Sequence, residues 1–578
     1  MTATATRGRV LLGVVLLGAL AFYLVNAVHF ARQPLRIEEN EWPRMAKAIY
    51  EHGRPYISAQ ESQRLRLDTS VRPGEPLRWD DEPYIGAWHP PLYQYVSAAS
   101  MVVLGTDASY SLRGVGIAGM LAACVLLMLI AREIDRRRWP LFGTAGVALL
   151  LLHPYASQGS TFLDIDTSIY APVILLLLWL ALRFAKREAF LRPKELAILA
   201  AALALVGWTK LTTIAVVVPA LALWWLLSRP LKRAVLEILI VVAGGAALFL
   251  STYALWCWAT DIPFRYTFDV TFAQKSDRFG GTPEAREWVF RWQVGWFVPA
   301  LMMLAAAYGI DAIVSFVRTR RPRPMDLLWG AGVAILLMYA WASPNASIYQ
   351  GKYALPALPL LILPVAWMCL RDVRERPPLL ALAAATAVAV IAGTAMPDLT
   401  LNDAWINEET IFRTAVLCGT ALALLVAWRF VPRTRAFAAG PLLVAAAVFV
   451  AQSVHARDAN TSPLHPIPDT EDFNAAVEAA NRALAPGDIA LVSKDIGFYI
   501  KPYAKVVEGH DTVYRGDELT ARLMREEPRL KVWVQDSFGP PVPPQMSIAL
   551  EQCFGAQQAF NSAFVRTRTD IAGSAGPC

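Results

Sequence analysis

Long apolar runs constrain this chain more than any other feature of its sequence. Examples are LLGVVLLGALAFYLV at 11–25, APVILLLLWLALRF at 171–184 and ALPALPLLILPVAWMCL at 354–370. A helix of roughly 20 apolar residues crosses a hydrocarbon core of about 30 Å. The mean hydropathy of +0.38 over 578 residues is too high for a soluble domain of this size. The sequence therefore predicts a polytopic α-helical membrane protein.

The apolar pattern predicts about 13 transmembrane helices. They are expected near 9–29, 111–131, 140–152, 168–184, 195–208, 211–228, 234–256, 292–317, 326–342, 354–370, 378–396, 411–428 and 436–452. The first run follows Arg7 and Arg9 and resembles a signal sequence. No small-residue cleavage site follows it, so we expect an uncleaved first helix.

Basic clusters predict the orientation, because cytoplasmic loops are enriched in Lys and Arg. The clusters are 7–9, 132–138, 183–194, 229–233, 318–324, 371–377 and 428–435. If they are cytoplasmic, the segments outside are 30–108, 153–167, 257–291, 342–353, 397–410 and 453–578. High Ala and Arg usage suggests a bacterial source, and hence an inner (plasma) membrane with these segments facing the periplasm. Nucleic acid is not predicted as a partner, because the basic residues are spread over separate turns.

The cysteines fall into two groups. Cys124, Cys257, Cys369 and Cys418 lie in or next to predicted spans and are expected to be buried apolar residues. Cys553 and Cys578 lie in the C-terminal segment, where an oxidising compartment permits a disulfide. The alternative for this pair is two free thiols.

The first external segment contains an amphipathic stretch at 41–51. Its apolar residues recur at helical spacing: Trp42, Met45, Ala46, Ile49 and Tyr50. Asn40 is a suitable N-cap, and Pro43 is tolerated in a first turn. We expect a helix that lies along the membrane interface.

The chain changes character near residue 457. Apolar runs shrink to strand length at 488–493, 504–509 and 530–536, with helical pattern at 470–484 and 516–526. This alternation predicts a small extracytoplasmic α/β domain. We therefore divide the chain into a transmembrane domain, 1–455, which includes the loop 30–108, and a soluble domain, 456–578.

Two acidic pairs stand at predicted outer helix ends. Glu38 and Glu39 precede the amphipathic helix, and Asp164 and Asp166 precede the fourth span. Solvated carboxylates at helix N-termini gain about 0.3–1 kcal/mol, which is the structural alternative for both pairs. Glu41, on the helix itself, is expected to be a bystander.

Cationic residues border the same outer face. Lys210 lies between two apolar runs, Lys352 and Tyr353 precede the tenth span, and His89 lies in WHPPLY. A lysine that borders hydrocarbon either snorkels or meets an anion. The phosphate of a lipid-linked substrate would be such an anion.

These motifs together resemble the GT-C superfamily of polyprenyl-phosphate-dependent glycosyltransferases, in the branch of the protein O-mannosyltransferases and the lipid A aminoarabinose transferase. The matching elements, in family order, are EENEWPRMAKAIYEHG (38–53), WHPPLYQY (88–95), FLDIDTS (162–168), WTKLT (208–212) and KYALPALP (352–359). The resemblance spans about residues 9–370. Glu38 stands where the family usually has Asp, and His89 stands where it often has Lys.

The resemblance implies sugar transfer from a polyprenyl-phosphate donor to an acceptor hydroxyl of a lipid, polysaccharide or protein, by one inverting displacement. Glu38 or Glu39 is expected to be the general base. Lys210, with His89, Lys352 and Tyr353, is expected to hold the donor phosphate. Asp164 and Asp166 either position the acceptor or, with Glu39, hold a divalent Mg, Mn or Ca ion. No cofactor is required on this interpretation.

Other functions remain open at the level of sequence. They are an oligosaccharyltransferase with a pyrophosphate-linked donor, a transporter of a lipid-linked substrate, and a non-catalytic sensor or assembly protein. A transporter typically carries ionisable residues at mid-span and broken helices in matching halves. Here the polar residues lie at the predicted external ends of spans, which favours chemistry on a membrane-borne substrate.

Overall fold

The computed structural model describes the chain from residue 3 to residue 569, with internal gaps. The gaps are 36–38, 40, 59–60, 69, 73, 81–82, 88, 107, 277–298, 343–350, 371–439, 459–469, 509–516, 537–541 and 562. The spans predicted at 378–396 and 411–428 lie outside the described residues. So do Glu38, Asn40, Cys418 and Cys578.

The chain forms two compact units. The first comprises Met1–Arg32, Ala87–Val96 and Tyr110–Pro466, and the second comprises Gln33–Gly86, Ser97–Ser109 and Ile467–Cys578. Most of residues 30–108 thus groups with the C-terminal residues. The division into domains 1–455 and 456–578 stays a prediction.

The first part of the chain is almost entirely helical. Its helices are α1 (Ala3–Ala31), α2 (Glu41–His52), α3 (Leu92–Leu104), α4 (Ser109–Ile134), α5 (Trp139–Leu152), α6 (Pro154–Ser160), α7 (Tyr170–Ala185), α8 (Pro193–Thr209), α9 (Leu211–Ser228), α10 (Leu231–Thr260), α11 (Tyr266–Ser276), α12 (Pro299–Thr319), α13 (Pro324–Ala342), α14 (Gly351–Ala354) and α15 (Ala357–Leu370). After the gap at 371–439, α16 spans Gly440–Asp458. Strands β1 (Tyr56–Ile57) and β2 (Tyr84–Ile85) form an antiparallel pair.

Three helical segments are long and apolar enough to cross a membrane: Val10–Ala31, Tyr110–Ile134 and Leu231–Thr260. They coincide with the predicted spans near 9–29, 111–131 and 234–256. Shorter apolar helices include α5, α7, α15 and parts of α9 and α13. A helical membrane protein is therefore confirmed. The count of about 13 spans stays a prediction.

Helix ends follow local chemistry around the loop between α6 and α7, which carries Asp164 and Asp166 and is called the acidic loop. α5 ends at Leu152 because the next residue precedes a proline, which disfavours the helical conformation. His153 adopts an extended backbone, and its Nδ1 accepts the amide N–H of Tyr155 at 3.1 Å, which caps α6. Lys210 also adopts an extended backbone and separates α8 from α9, as the sequence predicted.

A buried ion pair ties four elements of the first unit together. Arg229 donates two hydrogen bonds to the carboxylate of Glu237, at 3.0 and 2.8 Å. Glu237 also accepts the Trp225 indole N–H at 2.8 Å and the Leu191 amide at 2.9 Å. Arg229 in turn donates to the carbonyl oxygen of Phe184 at 2.9 Å. This network connects the end of α7, the α7–α8 connection, the end of α9 and the start of α10.

Changing Glu237 to Gln is expected to lower the free energy of unfolding by about 3–5 kcal/mol, since Arg229 would keep its charge in a buried site without a counter-ion. Thermal unfolding in detergent measures this effect. Glu188→Gln is the matched control, because Glu188 is exposed in the same α7–α8 connection. Equal unfolding temperatures for the two variants would contradict the account.

The second unit contains a five-stranded sheet in the order β4-β3-β5-β7-β6. The strands are β3 (Ile489–Val492), β4 (Lys505–Glu508), β5 (Leu530–Asp536), β6 (Gln558–Ala559) and β7 (Ala563–Thr567). β3 pairs in parallel with β4 and β5, whereas β7 pairs antiparallel with β5 and β6. The helices are α17 (Thr470–Arg482), α18 (Lys494–Gly497), α19 (Asp517–Glu526) and α20 (Pro544–Cys553).

Both faces of this sheet are buried, which explains the continuous apolar run of β3. Ile489 and Leu491 contribute to the core on one side, and Ala490 and Val492 contribute to the core on the other. Leu67 from the first external segment belongs to the first of these cores.

The cysteines are partly described. Cys124, Cys257 and Cys369 are buried, as predicted. Cys553 is disulfide-bonded. Because Cys578 lies outside the described residues, its predicted pairing with Cys553 stays a prediction.

Candidate active site

The acidic loop between α6 and α7 is held by its own hydrogen bonds. The side chains of Asp164 and Asp166 are buried, and the residues are 2% and 1% exposed. The amide of Asp166 donates to Asp164 Oδ1 at 3.0 Å, a turn that Asp side chains favour. The hydroxyls of Thr167 and Ser168 donate to the carbonyl oxygen of Asp164 at 3.0 and 2.5 Å. These bonds hold the loop backbone and the Asp164 carboxylate within the loop itself.

Two lysines from distant parts of the chain meet this pair. Lys352 Nζ lies 2.9 Å from Asp164 Oδ2, and Lys210 donates a hydrogen bond to Asp166 Oδ2. Lys210 comes from the α8–α9 junction and Lys352 from α14, and both are buried. Residues that the sequence selected from three separate motifs thus form one cluster of two ion pairs, which we call the Asp–Lys cluster.

Two tyrosines lie against the lysines. Lys210 Nζ is 4.4 Å from the ring centroid of Tyr353, and Lys352 Nζ is 5.0 Å from the same ring. Tyr339 of α13 stacks on Tyr353 with ring centroids 5.0 Å apart and an interplanar angle of 10°. Ammonium groups over aromatic rings are favoured electrostatically, more so in a desolvated site. Tyr339 was not predicted, since a tyrosine in an apolar span carries no distinguishing pattern.

The two aspartates differ in acidity. Burial raises the pKa of Asp166 to about 6; the Lys210 ammonium opposes this rise, and the negative charge of Asp164 adds to it. Burial also disfavours ionisation of Asp164, but the ammonium groups of Lys352 and Lys210 outweigh it and lower its pKa to about 2. Asp166 is therefore the carboxyl that takes up a proton first as the pH falls.

Two glycines of α4 allow the acidic loop to approach that helix closely. A Cβ added at Gly116 would lie 1.8 Å from the carbonyl oxygen of Ser160, and one at Gly119 would lie 2.2 Å from that of Ser168. Only glycine fits at these contacts. Neither glycine was predicted to matter from the sequence, where the available signal was the Gly spacing in RGVGIAG at 113–119.

The remaining predicted residues lie elsewhere or outside the described part. Glu39 is buried and belongs to the second unit, just before α2. His89 is half-buried in the segment Ala87–Val96 of the first unit. Glu38 lies outside the described residues. The general-base and phosphate-binding roles given to these residues stay predictions.

A divalent ion fits the Asp–Lys cluster poorly. Each carboxylate already faces an ammonium group, so a metal ion would have to displace two lysines. Within the part of the chain that the structure describes, no three His, Cys, Asp or Glu side chains converge on one point.

Comparisons with known proteins agree with the motifs. Residues 88–258 match the family model described as dolichyl-phosphate-mannose-protein mannosyltransferase. No curated protein sequence matches the chain.

Solved structures show the same fold over the whole chain. ArnT from Cupriavidus metallidurans bound to undecaprenyl phosphate is similar, with a TM-score of 0.55, 16% identity and 100% of both chains covered. Its apo state gives a TM-score of 0.53 at 16% identity, covering 98% of this chain and 99% of that one. The archaeal oligosaccharyltransferase AglB from Archaeoglobus fulgidus gives a TM-score of 0.47 at 11% identity, over 96% of this chain and 75% of its own. The family match and the fold confirm that this chain resembles the GT-C glycosyltransferases.

Proposed function

We propose that the chain is a membrane glycosyltransferase that moves a sugar from a polyprenyl-phosphate donor to an acceptor hydroxyl, with inversion, at the periplasmic face of a bacterial inner membrane. The acceptor is a lipid, a polysaccharide or a protein. The observation that carries the proposal is the Asp–Lys cluster, because most of it lies within the residues that match the mannosyltransferase family.

The cluster suits a phosphate leaving group. An ammonium group has three N–H donors, and Lys210 donates one of them to Asp166. The remaining donors can meet phosphate oxygens without breaking that ion pair. Charge that develops on the phosphate during transfer would be stabilised more strongly in this buried site than in water.

The aspartates have a supporting role in this scheme. An isolated buried lysine tends to lose its proton, because burial disfavours the charged form. Asp164 and Asp166 offset that cost and hold both ammonium groups in place. Glu38 or Glu39 would remove the acceptor proton, and His89 and Tyr353 would complete the donor phosphate site with Lys352.

Transfer from radiolabelled polyprenyl-phosphate sugars by the purified protein in detergent tests the proposal. Product with an inverted anomeric carbon is expected. Polyprenyl-pyrophosphate sugars are the matched donors, and exclusive use of these would favour an oligosaccharyltransferase. Glu38→Gln and Glu39→Gln, tested separately, are expected to identify the base by a large loss of transfer in one of them. Full activity in both would refute the base assignment.

Chelation tests the role given to the lysines. Because ammonium groups occupy both aspartates, transfer is expected to continue within about twofold of its rate in excess EDTA. The measurement is the initial rate before and after chelation. Loss of activity that added Mn or Mg restores would contradict this expectation.

A further inference from the structure

Within the second unit, the part formed by residues 470–569, here called the C-terminal domain, contacts the backbone that leads to Glu39. The amide of Leu35 donates a hydrogen bond to the phenol oxygen of Tyr499 at 2.5 Å, and Leu35 is fully buried. Leu35 lies four residues before Glu39, and both belong to the second unit. A backbone fixed at Leu35 limits how far Glu39 can move, since each residue adds at most about 3.6 Å of reach.

Tyr499 is itself held firmly. Its ring packs edge to face on Phe473 of α17, with centroids 5.4 Å apart and an interplanar angle of 79°. Its carbonyl oxygen accepts the side-chain amide of Asn481 at 3.0 Å, and Asn481 in turn accepts the Lys501 amide at 2.9 Å. The phenol oxygen is therefore a fixed acceptor supplied by the C-terminal domain.

A second attachment lies beyond α2. The amide of Leu65 donates to Val506 O at 2.7 Å, and that of Val506 donates to Gln63 O at 2.8 Å. These bonds form one isolated parallel bridge, between Arg64 and Val506 of β4. The Gln63 side chain donates to the carbonyl oxygens of Ile500 and Lys501 at 3.0 and 2.9 Å.

A third attachment follows further along the segment. The Arg522 guanidinium of α19 donates to Arg72 O at 3.2 Å and to Glu75 O at 2.6 Å. In chain order, Glu39 and α2 thus lie between attachments to the C-terminal domain on both sides. Simple packing explains the burial of Leu67. Packing alone does not explain why the Tyr499 hydroxyl accepts a hydrogen bond from the Leu35 amide.

We propose that the C-terminal domain positions the segment that carries Glu39, and that Tyr499 is the positioning residue. This inference rests on the proposed function, in which Glu39 is a candidate base. Misplacing a reacting group by about 1 Å can cost up to 100-fold in rate. The domain would therefore act on the chemical step without touching the substrate.

Tyr499→Phe removes the acceptor and keeps the ring packing. Tyr503→Phe is the matched control, because Tyr503 lies in the same domain, is 42% exposed, and bonds within that domain to Leu484 O. The kcat for transfer is expected to fall about 10- to 100-fold in Tyr499→Phe. The donor KM of Tyr499→Phe is expected to stay within about twofold of wild type, and so is the kcat of Tyr503→Phe.

Hydrogen exchange gives a readout that does not depend on activity. The amide of Leu35 is expected to exchange about tenfold faster in Tyr499→Phe than in wild type or Tyr503→Phe. Gln63→Ala, which removes the two side-chain hydrogen bonds of the second attachment and keeps its backbone bonds, is expected to lower kcat in the same direction. Gln63→Ala is also the variant to test if Tyr499→Phe folds poorly.

The inference would be overturned if Tyr499→Phe and Gln63→Ala both kept the wild-type kcat and the wild-type exchange rate of the Leu35 amide. Loss of kcat in Tyr503→Phe equal to that in Tyr499→Phe would also overturn it, because the effect would then be general to the domain. If wild type transfers no sugar, the proposed function fails, and hydrogen exchange at Leu35 still decides whether Tyr499 holds the segment.

Discussion

Replacing Lys210 with Met is expected to lower transfer about 100- to 1,000-fold, the usual loss when one preorganised group that stabilises developing negative charge is removed. Lys210 is buried, donates to Asp166 and lies over the Tyr353 ring. Because the site is buried, water cannot take over the stabilisation of negative charge when the ammonium group is removed. Transfer from the polyprenyl-phosphate donor measures the loss. Lys186→Met is the matched control, because Lys186 forms an exposed ion pair with Glu133.

The same substitution also leaves Asp166 without a counter-ion, which can destabilise the fold by about 3–5 kcal/mol. The double variant Lys210→Met, Asp166→Asn separates the two effects. It removes both charges, so the thermal stability is expected to recover while transfer stays low. Recovery of transfer in the double variant would show that Lys210 acts only on stability, and would contradict its proposed role.

Replacing Gly116 with Ala is expected to lower transfer about 100-fold by displacing the end of α6 and, with it, the acidic loop that follows. The new methyl group would lie 1.8 Å from Ser160 O, a backbone atom that cannot move alone. Overpacking of this kind typically costs about 1–3 kcal/mol. Transfer and thermal unfolding of the purified variant measure both consequences.

Gly114→Ala is a closely matched control on the same helix. A Cβ at Gly114 would meet nothing within 4 Å, so this change is expected to be neutral or slightly stabilising through helix propensity. Equal transfer by the two variants would mean that the close contact between α4 and the acidic loop does not affect the site.

Local patterns predicted the elements that depend on local chemistry. The apolar spacing at 41–51 predicted α2, whose residues Met45 and Ala46 are buried, although Tyr50 is exposed. Strand-length apolar runs marked the positions of β3, β4 and β5. The polar interruption at Lys210 marked the break between α8 and α9. Each of these features is set by residues close together in the sequence.

Long-range pairings could not be predicted in the same way. The sequence placed Asp164, Asp166, Lys210 and Lys352 on one face, but it gave no means to decide which lysine meets which aspartate. Polar, Arg-rich sequence between 54 and 82 gave no sign that residues 63–65 pair with β4, since the pairing uses backbone groups. The buried Arg229–Glu237 pair could not be predicted, because its arginine resembled the other arginines of the basic clusters.

Donor recognition can be measured without knowing the sugar or the acceptor. The measurement is the affinity of the purified protein for a polyprenyl phosphate and for the polyprenol of the same length. Wild type and Lys186→Met are expected to bind the phosphate at least about 100-fold more tightly, a difference of about 2.7 kcal/mol. Lys210→Met is expected to lose most of this preference. Equal affinity of the wild-type protein for the phosphate and the alcohol would contradict the account that the Asp–Lys cluster serves a phosphate-linked donor.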